Sequence, residues 1–252
     1  MLACKQLDVE VAGRLLVESL TMSVLPGRLV ALLGRNGAGK TLTLHTLAGL
    51  REPAGGSIEL DGRLLAAWPP ADRARRLALL PQDAEDPFPV TVLETALIGR
   101  HPHIDFWRWE DSADVAIARS RLAEVDLTGF EQRSVDTLSG GERRRLAIAT
   151  LLAQDPAICL LDEPTNHLDP QHQLGVLKLF RARADAGGSV IASLHDATLA
   201  ARFADDALLL HGDGRWDFGP CENVLTSERL SELYMSPMHE IAWGSRRVFI
   251  AG

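Results

Sequence analysis

Short, unbroken apolar runs recur along this chain where a half-exposed strand would alternate. Leu29 to Leu33, Leu77 to Leu80, Ala157 to Leu161 and Ser189 to Leu194 are each about the length of one strand. Runs of that kind suit strands covered on both faces, as in a parallel sheet. The first segment is different. Leu7, Val9 and Val11 alternate with Asp8 and Glu10, the pattern of a half-buried strand, and Ser57 to Leu60 followed by Asp61-Gly62 reads as a strand and tight turn. From about Gln82 to Gln154 the apolar spacing becomes helical, over Val90 to Gly99, Ser112 to Val125 and Glu142 to Ala153. A helical stretch from Gln171 to Ala184 separates the last two apolar runs. The tail adds a strand pair around Gly212-Asp213-Gly214 and a helix over Ser227 to Tyr234. The pattern predicts an α/β core, residues 1–81 and 155–252, interrupted by a helical insert over 82–154.

The run Leu29 to Leu33 leads into Gly34-Arg35-Asn36-Gly37-Ala38-Gly39-Lys40-Thr41 and then a helical pattern through Leu42, Leu44, Leu47 and Ala48. This is a phosphate-binding loop set between a strand and a helix. Glycines let successive N–H groups turn inward toward an anion at the positive end of the helix. Lys40 supplies a point charge for terminal phosphates, and the Thr41 hydroxyl suits a Mg²⁺ ligand.

The run Ala157 to Leu161 ends in Asp162-Glu163. A buried strand that delivers Asp162 at its carboxyl end places that carboxylate where an open parallel sheet gathers ligands, beside a metal. Glu163 is then placed to polarise a water for attack on a γ-phosphate. Leu138-Ser139-Gly140-Gly141-Glu142 opens the helix that runs to Ala153. Ser139 is a suitable N-cap. A double glycine there costs helix stability unless something approaches the backbone closely.

Taken in order, the phosphate loop, Leu138 to Glu142 and Asp162-Glu163 resemble the nucleotide-binding subunit of an ATP-binding cassette transporter, from about Leu7 to Val248. The resemblance implies a P-loop NTPase core with a mainly parallel sheet, an inserted α-helical subdomain and an N-terminal antiparallel β portion. It also implies an ATPase using ATP and Mg²⁺. Gly34, Asn36, Gly37, Ala38, Gly39, Lys40, Thr41 and Leu42 would cradle the nucleotide, and Thr41, Gln82 and Asp162 would hold the metal. Glu163, His195 and Gln82 would be the catalytic group, with His195 as the switch histidine. Ser139, Gly140, Gly141 and Asp169 would act across a head-to-tail pair of copies. The implied partners are a second copy, transmembrane permease subunits and, indirectly, a periplasmic or surface substrate-binding protein. The implied location is the cytoplasmic face of the membrane. Asp162 to Asp169 followed by His172-Gln173, and Gly99-Arg100-His101-Pro102-His103, resemble the subgroup that imports iron chelates, haem or cobalamin. Pro87-Phe88-Pro89 reads either as a permease-facing aromatic or as a rigid solvent loop.

Composition narrows the alternatives. A net charge of −8 argues against nucleic acid as a partner, since phosphate neutralisation needs clustered Lys and Arg. A ribosome-associated cassette ATPase is further disfavoured by the single cassette and the lack of a heptad run, while an accessory ATPase of cluster assembly stays open. The three cysteines, Cys4, Cys159 and Cys221, read as reduced thiols. The first residues carry no apolar leader, so a secretory signal is not expected, and no apolar stretch reaches a membrane span of about 20 residues. The paired histidines His101 and His103 flank a proline without a third ligand, which points to a structural or interface role rather than a metal site. One departure stands out. Val11 occupies the place where the family carries an aromatic to stack on adenine, so selectivity for that base is expected to be poor.

Overall fold

The computed structural model describes residues 1–82, 90–105, 107–244 and 246–252; Pro87-Phe88-Pro89 therefore lies outside the described residues. The chain begins with strands β1 (Leu2–Val11) and β2 (Arg14–Val24), then β3 (Leu29–Gly34), helix α1 (Lys40–Leu47), β4 (Gly55–Leu60), β5 (Arg63–Leu64), α2 (Pro70–Arg76) and β6 (Leu77–Leu80). Three helices follow, α3 (Val92–Ile98), α4 (Ser112–Glu124) and α5 (Gly140–Ala153). The chain continues through β7 (Ile158–Leu161), α6 (Pro170–Asp185), β8 (Ser189–Ser193), α7 (Ala197–Phe203), β9 (Asp206–Leu210) and β10 (Trp216–Pro220). It ends with α8 (Cys221–Val224), α9 (Ser227–Tyr234) and a hairpin of β11 (Met238–Trp243) and β12 (Arg246–Ala251).

The strands form a six-stranded sheet in the order β10-β9-β3-β8-β7-β6, an antiparallel sheet in the order β2-β1-β4-β5, and the terminal hairpin. Within the six-stranded sheet every pairing is parallel except β9 with β10. All of β3, β7 and β8 is buried. That is why their sequences read as unbroken apolar runs.

The alternation of side chains along these strands sorts them onto two faces. Leu29, Ala31 and Leu33 of β3 pack with Leu80, Leu161 and Ala192 against helices that include α5, α6 and α7. Val30 and Leu32 point the other way, with Leu160, Ile191 and Leu208, onto α1 and the antiparallel sheet. The fold therefore has three layers, helices, parallel sheet, and antiparallel sheet with α1.

Helices α3, α4 and α5 begin where side chains cap them. Thr91, Asp111 and Ser139 each close a reciprocal capping box, with Glu94, Asp114 and Glu142. Helix α1 starts at Lys40, within the phosphate-binding motif and ahead of the apolar pattern that begins at Leu42, and ends at Leu47. Val11 closes β1 in an exposed position, whereas Leu7 and Val9 are buried.

Candidate functional site

The sheet order determines what meets at its carboxyl edge. Strands β3, β8, β7 and β6 are successive neighbours and run in one direction. The residues that follow them therefore line up side by side, at a strand spacing of about 4.8 Å. These are the loop from Gly34 after β3, His195 after β8, Asp162-Glu163 after β7 and Gln82 after β6. A cleft of about 620 Å³ opens along this row, and Asn36, Lys40, Thr41, Gln82, Glu163 and His195 all face it. Gly37, Gly39 and Leu42 line it as well, with Val11 and Leu16 at the end contributed by the antiparallel sheet.

The loop is built for an anion. Gly39 is the N-cap of α1 with φ of 99°, a conformation that favours glycine, and no side chain caps the helix. The first N–H groups of α1 thus have no side-chain acceptor at the positive end of the helix. Lys40 is buried, and its ammonium donates to the carbonyls of Gly34 at 2.9 Å and Arg35 at 3.3 Å. Burial lowers its pKa, while the charges of Glu163 and Asp162 pull in the opposite direction. Gly34 and Ala38 belong to the frame of the loop. A Cβ on Gly34 would sit 2.7 Å from the Leu210 carbonyl and 3.1 Å from the Ala38 Cβ.

Asp162 is fully buried. Its Oδ1 accepts a 2.7 Å hydrogen bond from the Ser193 hydroxyl, and its Oδ2 has no hydrogen-bond partner. A desolvated carboxylate oxygen without a donor is costly unless a cation arrives to meet it. The same Ser193 hydroxyl accepts the Glu163 N–H at 2.7 Å, so one side chain fixes both carboxylate-bearing residues. Glu163 has φ of 48°, in the left-handed region, which is strained backbone for a residue with a side chain. Its Oε1 lies 2.7 Å from His195 Nε2, and its Oε2 accepts from Asn166 Nδ2. The His195 carbonyl in turn accepts a 3.3 Å hydrogen bond from Tyr234, whose hydroxyl is pushed up to about 12 by burial and then by the Asp196 charge.

Ser139, Gly140, Gly141 and Asp169 do not line this cleft. Ser139 is occupied locally, its N–H donating to Glu142 Oε2 at 2.7 Å and its hydroxyl accepting from the Glu142 N–H. A Cβ on Gly141 would come within 3.1 Å of the His167 carbonyl, so the glycine admits a backbone segment of the same chain. Asp169 caps α6, and the His172 N–H and ring hold its carboxyl below the usual range. His101 lies 3.4 Å from Glu110, and His103 bonds the Gln154 carbonyl at 2.8 Å. Among the described residues no cluster of three or more His, Cys, Asp or Glu side chains is arranged to hold a metal.

Two contributors were not evident from sequence motifs, Ser193 and Asn166. The signal for Ser193 was a hydroxyl closing the strand after the apolar residues 190–192, two residues before His195. Asn166 offered only its spacing from Glu163.

Known proteins with this pattern are numerous. The profile of the ABC transporter family matches residues 17–166. A hemin import ATP-binding protein, HmuV, of Nocardia farcinica is 42% identical over 226 residues, covering 90% of this chain and 78% of that protein. A cobalamin import ATP-binding protein, BtuD, of Halobacterium salinarum is 39% identical over 226 residues, covering 89% of this chain and 56% of that protein. Among solved structures, a chain of an ABC transporter described as of the metal-chelate type, in an inward-facing conformation, superposes with a TM-score of 0.86 at 30% identity. That alignment covers 99% of this chain and 96% of the other.

Proposed function

Because this chain belongs to the ABC transporter family and is an ATPase, we propose that two copies close head to tail around ATP and so power an importer for haem, cobalamin or an iron chelate. One observation carries the pairing. The cleft gathers Lys40, Thr41, Glu163, His195 and Gln82 but none of Ser139 to Gly141. A signature segment that is to meet the terminal phosphate must then come from a second copy, with Asp169 at the same seam.

Each side chain has a task in this reading. Lys40 and the N–H groups of the loop and α1 bind the phosphates. Thr41, Gln82 and Asp162 would hold Mg²⁺, which would offset the charge of the phosphate oxygens. The unpartnered Asp162 Oδ2 fits that assignment. Glu163 accepts the proton of the attacking water, and His195, 2.7 Å away, orients it and follows the γ-phosphate. Ser193 holds Asp162 and Glu163 in register. Ser193→Ala is expected to lower kcat by about tenfold while leaving ATP affinity within about threefold, read from steady-state hydrolysis and nucleotide titration. A kcat equal to that of the unmodified protein contradicts the bridge.

Base recognition follows from Val11. It is 39% exposed where the cleft meets the antiparallel sheet and offers methyl groups but no ring face. Stacking contributes on the order of 1–3 kcal/mol, so its absence leaves little preference for adenine. GTP and CTP are expected to support hydrolysis within about tenfold of ATP, and a competition assay showing strong ATP preference overturns this.

The import assignment draws on the hemin and cobalamin names of the relatives and the metal-chelate type of the structural neighbour. Among the described residues no helix is long and apolar enough to cross a membrane. This reading assigns the transport path to separate permease subunits. The helices of residues 82–154 then form the subdomain that pushes on the permease from the cytoplasmic face, a binding protein outside handing over cargo indirectly. Affinity capture with this chain as bait is expected to recover a polytopic membrane protein, and deletion should abolish uptake of labelled haem, cobalamin or ferric chelate. Recovery of ribosomes or of an assembly factor, with uptake of all three cargoes intact, would contradict the importer.

A further inference from the structure

Four charged side chains are buried among the described residues, Lys40, Asp162, Glu163 and Arg144. The first three belong to the cleft. Arg144 lies on α5, beyond the signature glycines, on a helix whose other buried side chains are apolar. Burying a guanidinium is costly unless each of its donors finds an acceptor, so its partners are informative.

Among the described residues, the partners of its two Nη groups are backbone carbonyls from two other strand ends. Arg144 Nη1 donates to Pro81 at 2.6 Å and to Gln82 at 3.1 Å, and Nη2 donates to the Asp162 carbonyl. Pro81 and Gln82 follow β6, and Asp162 follows its parallel neighbour β7. One rigid fork therefore joins the helix of Ser139 to Gly141, the residue proposed to touch the metal from β6, and the buried carboxylate after β7. The groove it bridges separates α5 from the end of β6 and is walled by Leu79, Gln82, Gly140 and Thr150. Backbone carbonyls do not titrate or rotate away as side chains do, so a shift at either strand end is carried to α5 through the guanidinium.

We propose that Arg144 is a positioning residue that ties the orientation of the signature helix to the occupancy of the Mg-nucleotide site of its own chain. It does not line the cleft that gathers Lys40, Thr41 and Glu163. When the backbone at Gln82 and Asp162 adjusts to a bound nucleotide, α5 moves with it, and Ser139 to Gly141 are presented to the second copy. The inference rests on the reading of Gln82 and Asp162 as metal-side groups and deepens it by naming the mechanical link.

Hydrogen exchange with and without Mg-ATP, on the full chain, tests it. In the unmodified protein Mg-ATP is expected to slow exchange both in the loop, residues 35–43, and in the first two turns of α5. Arg144→Gln is expected to keep the loop protection and an ATP affinity within about threefold, while kcat falls by about tenfold and the response of α5 is lost. Arg144→Lys, which keeps the charge but not the planar fork, should lie between the two and serves if the glutamine variant does not fold. An unchanged α5 response and kcat in Arg144→Gln overturns the proposal. So does a parallel loss of affinity, loop protection and kcat, which would mark a general packing role. Absence of loop protection in the unmodified protein overturns the nucleotide-site reading itself, a result no Arg144 variant is needed to see.

Discussion

Glu163→Gln is expected to retain Mg-ATP, accumulate as a dimer and lose about 10²–10⁴-fold in kcat, the usual contribution of a positioned general base. The substitution is nearly isosteric, so the strained φ of 48° and the N–H bond to Ser193 need not change. The amide still accepts from Asn166 through its oxygen and still faces His195 through its nitrogen. What it cannot do is take a proton. Binding and chemistry should separate cleanly, with nucleotide retained in a stalled complex. Hydrolysis within about tenfold of the unmodified rate would show that Glu163 is not the base, whatever its geometry.

Lys40→Ala has the second largest expected effect, and it falls on binding. Hydrogen bonds to charged groups contribute about 1.5–3 kcal/mol each, which corresponds to a loss of roughly 10–100-fold in ATP affinity. Without nucleotide the variant should fold, because the cost of burying the ammonium is removed with it and offsets the loss of its bonds to two loop carbonyls. The contrast is therefore best read as ligand stabilisation. At a nucleotide concentration of about 100 times the Kd of the unmodified protein, ATP adds about 2.7 kcal/mol to its stability. A hundredfold weaker variant gains only about 0.4 kcal/mol at the same concentration, and its melting temperature hardly moves. An equal ATP-induced shift in both proteins counts against the phosphate cradle.

The strands that place the site are legible in sequence because burial on both faces strips them of polar residues. β3, β7 and β8 are the clear cases, and the change to helical spacing over α3, α4 and α5 is equally visible. Other elements leave weaker traces. α2 has no buried residue, so it shows no apolar stripe despite a proline at its start. β2 carries several register irregularities against β1, which break its alternation. The hairpin of β11 and β12 exposes Ile241, Trp243 and Ile250, the residues a pattern reading would place inside. The candidate site divides in the same way. Glycine spacing and the Asp-Glu strand end announce the loop and the carboxylates, because each is a local chemical demand. Ser193 and Arg144 act through pairings between segments far apart in the chain, Ser193 on the residues after β7 and Arg144 on those after β6 and β7. Only the sheet order and the packing of α5 bring them together.

In the proposed dimer the terminal phosphate is clamped between the loop of one copy and the signature helix of another. All three native cysteines are buried, so thiols placed on the exposed Arg35 and Thr137 report contacts without interference. In the Glu163→Gln background, a short bismaleimide, which alkylates two thiols, is expected to join Arg35→Cys of one copy to Thr137→Cys of the other, in Mg-ATP but not in its absence. ATP bound at full stoichiometry to a chain that stays monomeric and forms no such link would contradict the account.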